Sequence, residues 1–258
     1  MPMLAKLAYR AATELSPRLA AKAAHLWVYK GMLAVRSYQS RLARKELYPP
    51  FMFVALTNTC NLRCHGCWVE KEGDAFHLPA EDLDNIIRSG KRRNAYYYTL
   101  LGGEPFMHKG IWDIFTRHKD CFFQAITNGM LFTEKNADRI AEAGNVTPLI
   151  SIEGREITSD ERRGNKEVFS RTLRGLDACL KAGLLTGVAT SVCRTNIDEL
   201  LTQSWLQELI DRGVHYVWYH TYRPVGPKMN PGLALRPDQL VRVRQFVVAM
   251  RARMPIAI

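Results

Sequence analysis

Three cysteines stand within eight residues, immediately after a short apolar run. Cys60, Cys64 and Cys67 follow the spacing C-x3-C-x2-C, and the preceding residues 51–56 have the composition of a buried strand. Thiols grouped this closely are candidate metal ligands, and a closed zinc site would need four ligands, usually in two pairs. No second cysteine pair follows at such a distance, and His65 lies inside the same very short loop.

The missing fourth cysteine favours an iron–sulfur cluster that is bound by three thiolates. The fourth iron of such a cluster stays open to a further ligand, as the metal does at catalytic metal sites generally. A zinc site and simple buried thiols remain the alternatives at this point. The loop therefore predicts metal ligands at Cys60, Cys64 and Cys67.

Further polar residues and glycines follow the other predicted strands. Gly102-Gly103-Glu104-Pro105 comes after the second strand, and Asn128 comes directly after the third. Ser151 and Glu153 alternate at the end of the fourth strand. Because α/β barrels build their active sites at the carboxyl ends of the strands, these residues predict one functional site at that edge.

An alternation of strands and helices over residues 51–258 predicts the fold. Strands are predicted over 51–56, 96–101, 122–127, 147–152, 186–192 and 215–221. Helices are predicted over 80–91, 109–119, 133–143, 166–182, 197–212 and 236–251. Parallel strands need such long crossovers, and right-handed crossovers curve the sheet. The predicted fold class is therefore α/β, a partial (β/α)6 TIM-like barrel, and residues 255–258 are expected to begin a seventh strand.

Residues 1–48 read as a basic amphipathic helical extension with a break near Ser16-Pro17. Nine Lys and Arg residues against Glu14 and Glu46 give this segment +7 of the net charge of +11. Three interpretations are open: a helical cap on the barrel, an element at an anionic membrane surface, or a nucleic-acid contact. The last is disfavoured because no recognition motif accompanies the charge. The membrane interpretation draws on Leu26, Trp27, Tyr29 and Leu33.

Composition excludes several classes of protein. No run approaches eighteen apolar residues, so no membrane-spanning helix is predicted. The N-terminus lacks the pattern of a signal peptide, and the chain is therefore expected to be cytoplasmic. In that compartment the six cysteines read as thiols or metal ligands rather than disulfides. Because residues 1–48 are basic, a peripheral location at the inner membrane face is the second expected location of the chain.

The cysteine motif, followed by Gly102-Gly103-Glu104-Pro105 after the next strand, resembles the radical S-adenosylmethionine (radical SAM) superfamily over about residues 51–225. The resemblance implies a 4Fe–4S cluster whose unique iron is chelated by the methionine part of S-adenosylmethionine (SAM). One electron from the reduced cluster would cleave SAM, giving methionine and a 5′-deoxyadenosyl radical that abstracts a substrate hydrogen. An electron donor such as a flavodoxin or ferredoxin is implied as well.

The same resemblance implies a set of SAM-binding residues. Glu104 would accept hydrogen bonds from the methionine ammonium, and Ser151 and Glu153 would bind the ribose hydroxyls. The stretch from Ser151 to Gly164 is similar to the S-[IL]-D-G…D-x-x-R-G pattern of peptide-modifying members, with Glu153 in place of aspartate. The full predicted set is Gly66, Gly102, Gly103, Glu104, Pro105, Asn128, Ser151, Glu153 and Arg163.

The chain departs from the family pattern next to the third cysteine. Gly66 stands where many members have an aromatic residue whose backbone reaches the adenine, and Trp68 follows Cys67 instead. Gly66 still offers backbone groups, whereas no role is assigned to Trp68.

Isolated cysteines are most often small buried hydrophobes, and of these only Cys193, at the end of the fifth strand, is a candidate substrate contact.

Two substrate classes are expected for a radical SAM enzyme with this sequence. The pattern from Ser151 to Gly164 favours a peptide or protein side chain, as in peptide maturation. The basic N-terminal extension favours a lipid or isoprenoid at the membrane surface, as in hopanoid and lipid modification. We lean slightly towards the peptide. A non-catalytic iron–sulfur or zinc-binding partner protein is the remaining alternative, and the retention of Glu104 with all three cysteines speaks against it.

Overall fold

Six parallel strands form one sheet, in the order in which they occur along the chain. The computed structural model describes residues 3–69 and 73–258; residues 1–2 and 70–72, with the side chains of residues 3–5 and 11, lie outside this description. The strands are β1 (Phe51–Thr57), β2 (Tyr97–Gly102), β3 (Phe122–Thr127), β4 (Val146–Ser151), β5 (Gly187–Val192) and β6 (Tyr216–Thr221). Each lies within one residue of its predicted limits.

Helices connect the strands on one side of the sheet. They are α4 (Ala80–Lys91), α5 (Ile111–Arg117), α6 (Glu134–Ala143), α7 (Glu156–Arg163), α8 (Val168–Lys181), α9 (Ile197–Leu200), α10 (Gln203–Arg212) and α11 (Pro237–Arg253). Two differences from the sequence prediction stand out. The predicted helix over 197–212 is two helices, and α7 was not predicted at all, because its segment was interpreted only as a motif.

The sheet is curved but open. Each strand pairs only with its sequence neighbours, so β1 and β6 form the two edges of the sheet. Ala257 forms a parallel bridge to Tyr216 of β6, which is the expected beginning of a seventh strand. The α/β class and the partial barrel predicted from the sequence are therefore confirmed.

Two layers of side chains support the sheet. Large apolar residues such as Leu56, Leu100 and Phe123 are fully buried between the sheet and the helices, as strand alternation requires. On the opposite face, the Tyr216 hydroxyl lies 2.9 Å from Thr147 Oγ1 and accepts a hydrogen bond from Gln124 Nε2 at 3.3 Å. Burial raises the pKa of Tyr216 to about 12, so the hydroxyl stays protonated. These hydrogen bonds link side chains of β3, β4 and β6 on this face of the sheet.

The N-terminal extension is a set of consecutive helical segments, which we call the arm. It contains α1 (Met3–Glu14), α2 (Pro17–Ala23), a π-helical segment (Ala24–Tyr29) and α3 (Lys30–Ala43). Ser16 caps α2, because its side chain accepts a hydrogen bond from Leu19 N, and Pro17 begins that helix. The predicted break near Ser16-Pro17 is therefore confirmed.

Basic side chains attach the arm to the barrel. Lys22 Nζ donates to Ala143 O at the end of α6, and Lys30 Nζ donates to Asp120 O ahead of β3. Such positions favour cations, since helix carboxyl ends carry unpaired carbonyls and partial negative charge. Arg10, Arg18 and Arg41 donate to barrel carbonyls in the same way. All these acceptors precede a strand, so the arm covers the amino-terminal edge of the sheet.

No helix among the described residues is both long and apolar enough to cross a membrane.

The attachment of the arm can be tested at Arg10, which is buried and donates to Val214 O at 3.0 Å and Pro255 O at 2.8 Å. We expect Arg10→Ala to lower the free energy of unfolding by about 1–3 kcal/mol, because it leaves buried carbonyls unpaired. Urea denaturation measures the change. Arg36→Ala, at an exposed position of α3, is the control and should change stability by less than about 0.5 kcal/mol. Equal stability of both variants would contradict an anchoring role for Arg10.

Candidate functional site

A cavity of about 660 Å³ lies at the carboxyl edge of the sheet, opposite the arm. All three motif cysteines line it. They are joined by most of the predicted SAM-binding residues, namely Gly66, Gly102, Gly103, Asn128, Ser151, Glu153 and Arg163. Glu104 and Pro105 are buried and do not line the cavity. The structure thus brings the sequence motifs together in one place.

The cysteine loop suits a cluster better than a single metal ion. Cys60, Cys64 and Cys67 are each partly exposed and none is in a disulfide. Over residues 3–69 and 73–258, no three His, Cys, Asp or Glu side chains converge closely enough to hold one ion. A multi-iron cluster separates its thiolate ligands more widely than zinc does. The donor set of three sulfurs around one cavity therefore fits a 4Fe–4S cluster.

The end of α7 braces the cysteine loop. His65 N donates to Arg162 O at 2.9 Å, and the Arg162 guanidinium donates back to His65 O. Gly164 follows α7 with φ of 72°, and a Cβ atom there would lie 2.5 Å from Arg63 O. A side chain at this position would push the loop away. Gly164 ends the D-x-x-R-G stretch of the family pattern, and Arg162, the residue before the pattern's Arg163, makes the contact with the loop.

Tyr222 supports the loop from the other side, a role that the sequence did not reveal. A Cβ atom on Gly66 would come within 2.7 Å of the Tyr222 hydroxyl, so only glycine allows the ring to pack there. The hydroxyl also accepts a hydrogen bond from Asn230 N at 3.0 Å. Tyr222 is buried, so its ring supports the loop.

Glu104 joins the ends of two neighbouring strands. Its carboxylate accepts hydrogen bonds from Thr127 Oγ1 at 2.7 Å, Asn128 N at 2.9 Å and Phe106 N at 3.2 Å. Complete burial raises the pKa of Glu104, while these donors and the charge of Arg163 oppose that rise. The carboxylate therefore contacts protein groups in this structure, and its direct contact with a methionine ammonium stays a prediction.

The glycines ahead of Glu104 lie against the end of β1. Gly103 N donates to Thr57 O at 2.6 Å, and Glu104 N donates to Thr59 O at 2.8 Å. A Cβ atom on Gly103 would overlap the Thr59 carbonyl. The two glycines therefore let the strand end pass directly beside the cysteine loop, with backbone lining the cavity.

Glu153 and Arg163 form a buried ion pair in the cavity wall. Arg163 Nη2 donates to Glu153 Oε1 at 2.8 Å, and the two side chains are only 11% and 9% exposed. The second oxygen, Glu153 Oε2, accepts from Ser191 N at 2.9 Å. Arg163 Nη1 lies 3.8 Å from the sulfur of Cys64. Glu153 therefore has protein partners on both oxygens, and its predicted contact with a ribose stays untested.

Asn196 holds the same wall, although its sequence position indicated only the start of a helix. Its side-chain Nδ2 donates to Glu153 O at 2.9 Å and to Ser191 O at 3.1 Å, while its Oδ1 accepts from Cys193 N at 2.7 Å. It does not cap α9. Three hydrogen bonds from one buried amide fix the ends of β4 and β5 together.

The remaining candidates fall at the cavity rim or behind it. Trp68 is half exposed and lines the cavity, and Gly226 packs against its backbone. His220 lines the cavity too, and burial lowers its pKa. Cys193 is fully buried in a small cluster with Tyr222 and lies outside the cavity lining, so the structure does not support it as a substrate contact.

The fold and this site define the family. Residues 54–203 match the model of the radical SAM superfamily, which is more than half of the chain. The chain therefore belongs to the radical SAM superfamily, a family of enzymes whose cofactors are a 4Fe–4S cluster and SAM. The three cysteines at the cavity are those that the family motif would assign to the cluster.

Several relatives are about a quarter identical to this chain over the part of each that aligns with it. The Fe-coproporphyrin III synthase of Methanosarcina barkeri is 27% identical over 58% of this chain and 39% of its own length. The sporulation killing factor maturation protein SkfB of Bacillus subtilis is 27% identical over 56% of this chain and 36% of its own length. The chain thus spans less than half the length of these relatives.

Solved structures share the fold. SuiB of Streptococcus suis, bound to S-adenosylmethionine, superposes with a TM-score of 0.71 at 17% identity, covering 85% of this chain and 52% of SuiB. The structure titled anSMEcpe with bound AdoMet superposes with a TM-score of 0.66 at 14% identity, covering 81% of this chain and 61% of that protein. At these identities the likeness establishes the architecture alone.

Gly164 tests the brace on the cysteine loop. We expect Gly164→Ala to lower the iron bound after anaerobic reconstitution, because the new Cβ collides with Arg63 O. Gly213→Ala is the matched control, since Gly213 also has a positive φ but the nearest atom to its Cβ would be 3.8 Å away. Both variants should lose about 1–2 kcal/mol of stability to the left-handed backbone. Equal iron content in the two folded variants would contradict the brace.

Proposed function

We propose that this chain is the core of a radical SAM enzyme that removes hydrogen from a peptide or protein side chain. The observation that carries the reaction type is the single cavity shared by the three-cysteine loop, the Gly102-Gly103 backbone and the Arg163–Glu153 pair. A cluster on the cysteines and SAM on the neighbouring strand ends would then share one site. This proximity is what reductive SAM cleavage requires.

Cys60, Cys64 and Cys67 would hold the cluster, and α7 with Tyr222 would keep their loop in place. When bound, the reduced cluster supplies the electron that splits SAM into methionine and a 5′-deoxyadenosyl radical, which abstracts the substrate hydrogen. The residues of this chain contribute by holding the cysteine loop in position. The loop is held by backbone bonds to Arg162, and its glycine gives the Tyr222 ring room to pack.

The strand ends would form the SAM site around that loop. The backbone of Gly102 and Gly103 offers groups for close approach, with Ser151 on the next wall. Asn128 Nδ2 donates to Asn61 Oδ1 at 2.7 Å, so it also ties the cysteine loop to β3. The positive charge of Arg163 faces the same cavity and suits a carboxylate.

The preference for a peptide substrate rests on relatives and on the motif. SkfB and the mycofactocin maturase MftC of Mycolicibacterium smegmatis, which is 27% identical over 56% of this chain, are named as maturation enzymes. A second SuiB structure contains the precursor peptide SuiA. Other relatives are named for haem-related synthesis, so the substrate class is our proposal. We further propose a flavodoxin or ferredoxin as the electron donor.

The arm supports a second proposal, attachment of this chain to an anionic membrane surface. Several of its basic residues donate to barrel carbonyls, whereas Arg36, Arg44 and Lys45 are exposed. Trp27, Met32 and Val35 are exposed as well, at 55%, 52% and 49%. Residues 15–45 contain no Asp or Glu. Aromatic and apolar side chains among cations suit a lipid interface, whereas a second copy would bring like charges together. Leu26, expected at such an interface, is instead buried.

The position of the arm separates membrane attachment from the choice of substrate. The arm covers the amino-terminal edge of the sheet, and the cavity opens at the carboxyl edge. A membrane bound by the arm would therefore not reach the cavity directly. This geometry supports the peptide over a lipid substrate, and a peripheral location at the inner membrane face remains compatible with both.

Anaerobic reconstitution followed by mass spectrometry tests the proposed function. With SAM and a chemical reductant, we expect the wild-type chain to form 5′-deoxyadenosine, and a peptide fraction should stimulate its formation more than a lipid extract. The triple variant Cys60→Ala, Cys64→Ala, Cys67→Ala should form none, while Cys179→Ala, a buried core position, should retain the activity. Stimulation by lipid alone would overturn the peptide proposal. No product from a fully reconstituted wild type would favour the non-catalytic alternative.

Glu104 should affect SAM binding more than cluster assembly. Glu104→Ala removes the predicted charge-assisted hydrogen bond to the methionine ammonium, which is worth about 1.5–3 kcal/mol. It also leaves Asn128 N and Thr127 Oγ1 without their acceptor. We expect SAM affinity to fall roughly tenfold to a hundredfold, with iron content unchanged, in EPR-monitored titrations. Exposed Glu134→Ala is the control. If the Ala variant bound SAM with wild-type affinity, Gly102–Pro105 would be only a turn.

The membrane proposal predicts binding through the outward face of the arm. The triple variant Trp27→Glu, Met32→Glu, Val35→Glu should lose co-sedimentation with phosphatidylglycerol vesicles at low salt. Leu240→Glu, Val241→Glu, Val248→Glu is the control, because it adds the same charge at exposed positions of α11. Wild-type binding should weaken at high salt through screening. Equal loss in both variants would show that only net charge matters, and a wild-type dimer abolished by the first variant would indicate self-association instead.

A further inference from the structure

Arg163 connects the wall of the cavity to one of the three motif cysteines. Its Nη1 lies 3.8 Å from Cys64 Sγ, within the range of an N–H···S hydrogen bond. The side chain is 11% exposed, so the guanidinium acts in a region from which most water is excluded. Arginine presents five N–H donors in a fixed plane, and contact with one sulfur leaves others for further partners.

Glu153 fixes that guanidinium at the sulfur. One carboxylate oxygen holds Arg163 Nη2 at 2.8 Å, and the other accepts from Ser191 N at 2.9 Å. The Glu153 backbone is itself held by Asn196 and by the hydroxyl of Ser159, which accepts from Glu153 N at 3.2 Å. Arg163 and Glu153 are both largely buried, so the contacts from β5 to the partly exposed Cys64 run through side chains with little access to water.

The arginine stays charged in this position. A guanidinium is not deprotonated in proteins, and Glu153 Oε1 pairs with Arg163 Nη2 at 2.8 Å. Arg163 and Glu153 therefore differ in their relation to the cysteine loop. The Arg163 guanidinium contacts Cys64 Sγ, whereas the Glu153 carboxylate contacts the guanidinium.

We propose that Arg163 is a positioning residue that sets the reduction potential of the cluster through Cys64, with Glu153 as the counter-charge that moderates it. The inference rests on the proposed function, since it requires a cluster on the three cysteines, and it goes beyond that function because the effect exists without SAM or substrate. Reduction adds one electron from a low-potential donor and no proton, so the cluster becomes more negative. A nearby cation and a hydrogen bond to sulfur stabilise that reduced state.

Two substitutions of the pair are expected to shift the potential in opposite directions. Arg163→Met removes the cation and the N–H···S contact, so the reduced cluster is stabilised less and the midpoint potential should fall. Glu153→Gln removes the anion while keeping a hydrogen-bond acceptor beside Arg163, so the midpoint potential should rise. Arg163→Lys keeps the charge and should shift the potential less than Arg163→Met. A purely structural role would not produce opposite signs.

The measurement is an EPR-monitored redox titration of the reconstituted, SAM-free chain, with iron content determined for every variant. Arg155→Met is the control, because it removes a cation at the start of α7 that pairs with Glu208 and should not move the potential. If Arg163→Met fails to assemble a cluster, the rise expected for Glu153→Gln still decides the proposal. Shifts of the same sign in Arg163→Met and Glu153→Gln, or an unchanged potential in Glu153→Gln, would overturn it. Failure of the wild type to bind any cluster would instead count against the proposed function.

Discussion

Burying a charge costs several kcal/mol unless a partner and hydrogen bonds compensate for it, and this cost governs the Arg163–Glu153 pair. Neither residue can leave the other without exposing an unpaired charge to the interior. The positions of these two side chains are therefore narrowly restricted, and so are the positions of the groups that they contact. On one side stands the backbone of β5, through Ser191, and on the other the sulfur of Cys64. The ion pair thus links the sheet to the loop that carries the ligands.

A second buried carboxylate works by the same principle on the neighbouring strands. Glu104 lies at the end of β2 and draws its donors from the end of β3, much as Glu153 on the β4 side draws a donor from β5. Each parallel strand is followed by a long connection that leaves the sheet at the strand's carboxyl end. The hydrogen bonds of the sheet therefore do not hold these loops in place. The two carboxylates supply that restraint. They explain why a site assembled from six separate loops can present a single defined cavity.

At the amino-terminal edge of the sheet, a different kind of contact holds the arm in place. Lysine and arginine side chains of the arm satisfy carbonyl groups at the barrel's amino-terminal edge, which leaves the arm's apolar side chains facing outward. In most surface helices the basic side chains face solvent and the apolar ones face the core. Helix carboxyl ends attract cations, which accounts for the inward direction of these basic side chains. The arm and the cavity lie at opposite edges of the sheet.

The amino-acid sequence was enough to predict the alternation of six strands and helices, the three-cysteine motif, and the edge at which the site would lie. Each of these depends on local spacing: a period of two or 3.6, thiols a few residues apart, and strand ends that all share one edge of a parallel sheet. Only the tertiary structure decided which side chains meet across that edge. Glu104 and Glu153 contact protein groups contributed by other strands, which the sequence did not reveal, while their contacts with SAM stay predictions. Asn196 and Tyr222 carried no local signal, because their partners are distant in sequence, and the direction of the arm's basic side chains depended on carbonyls that only the folded barrel brings beneath them.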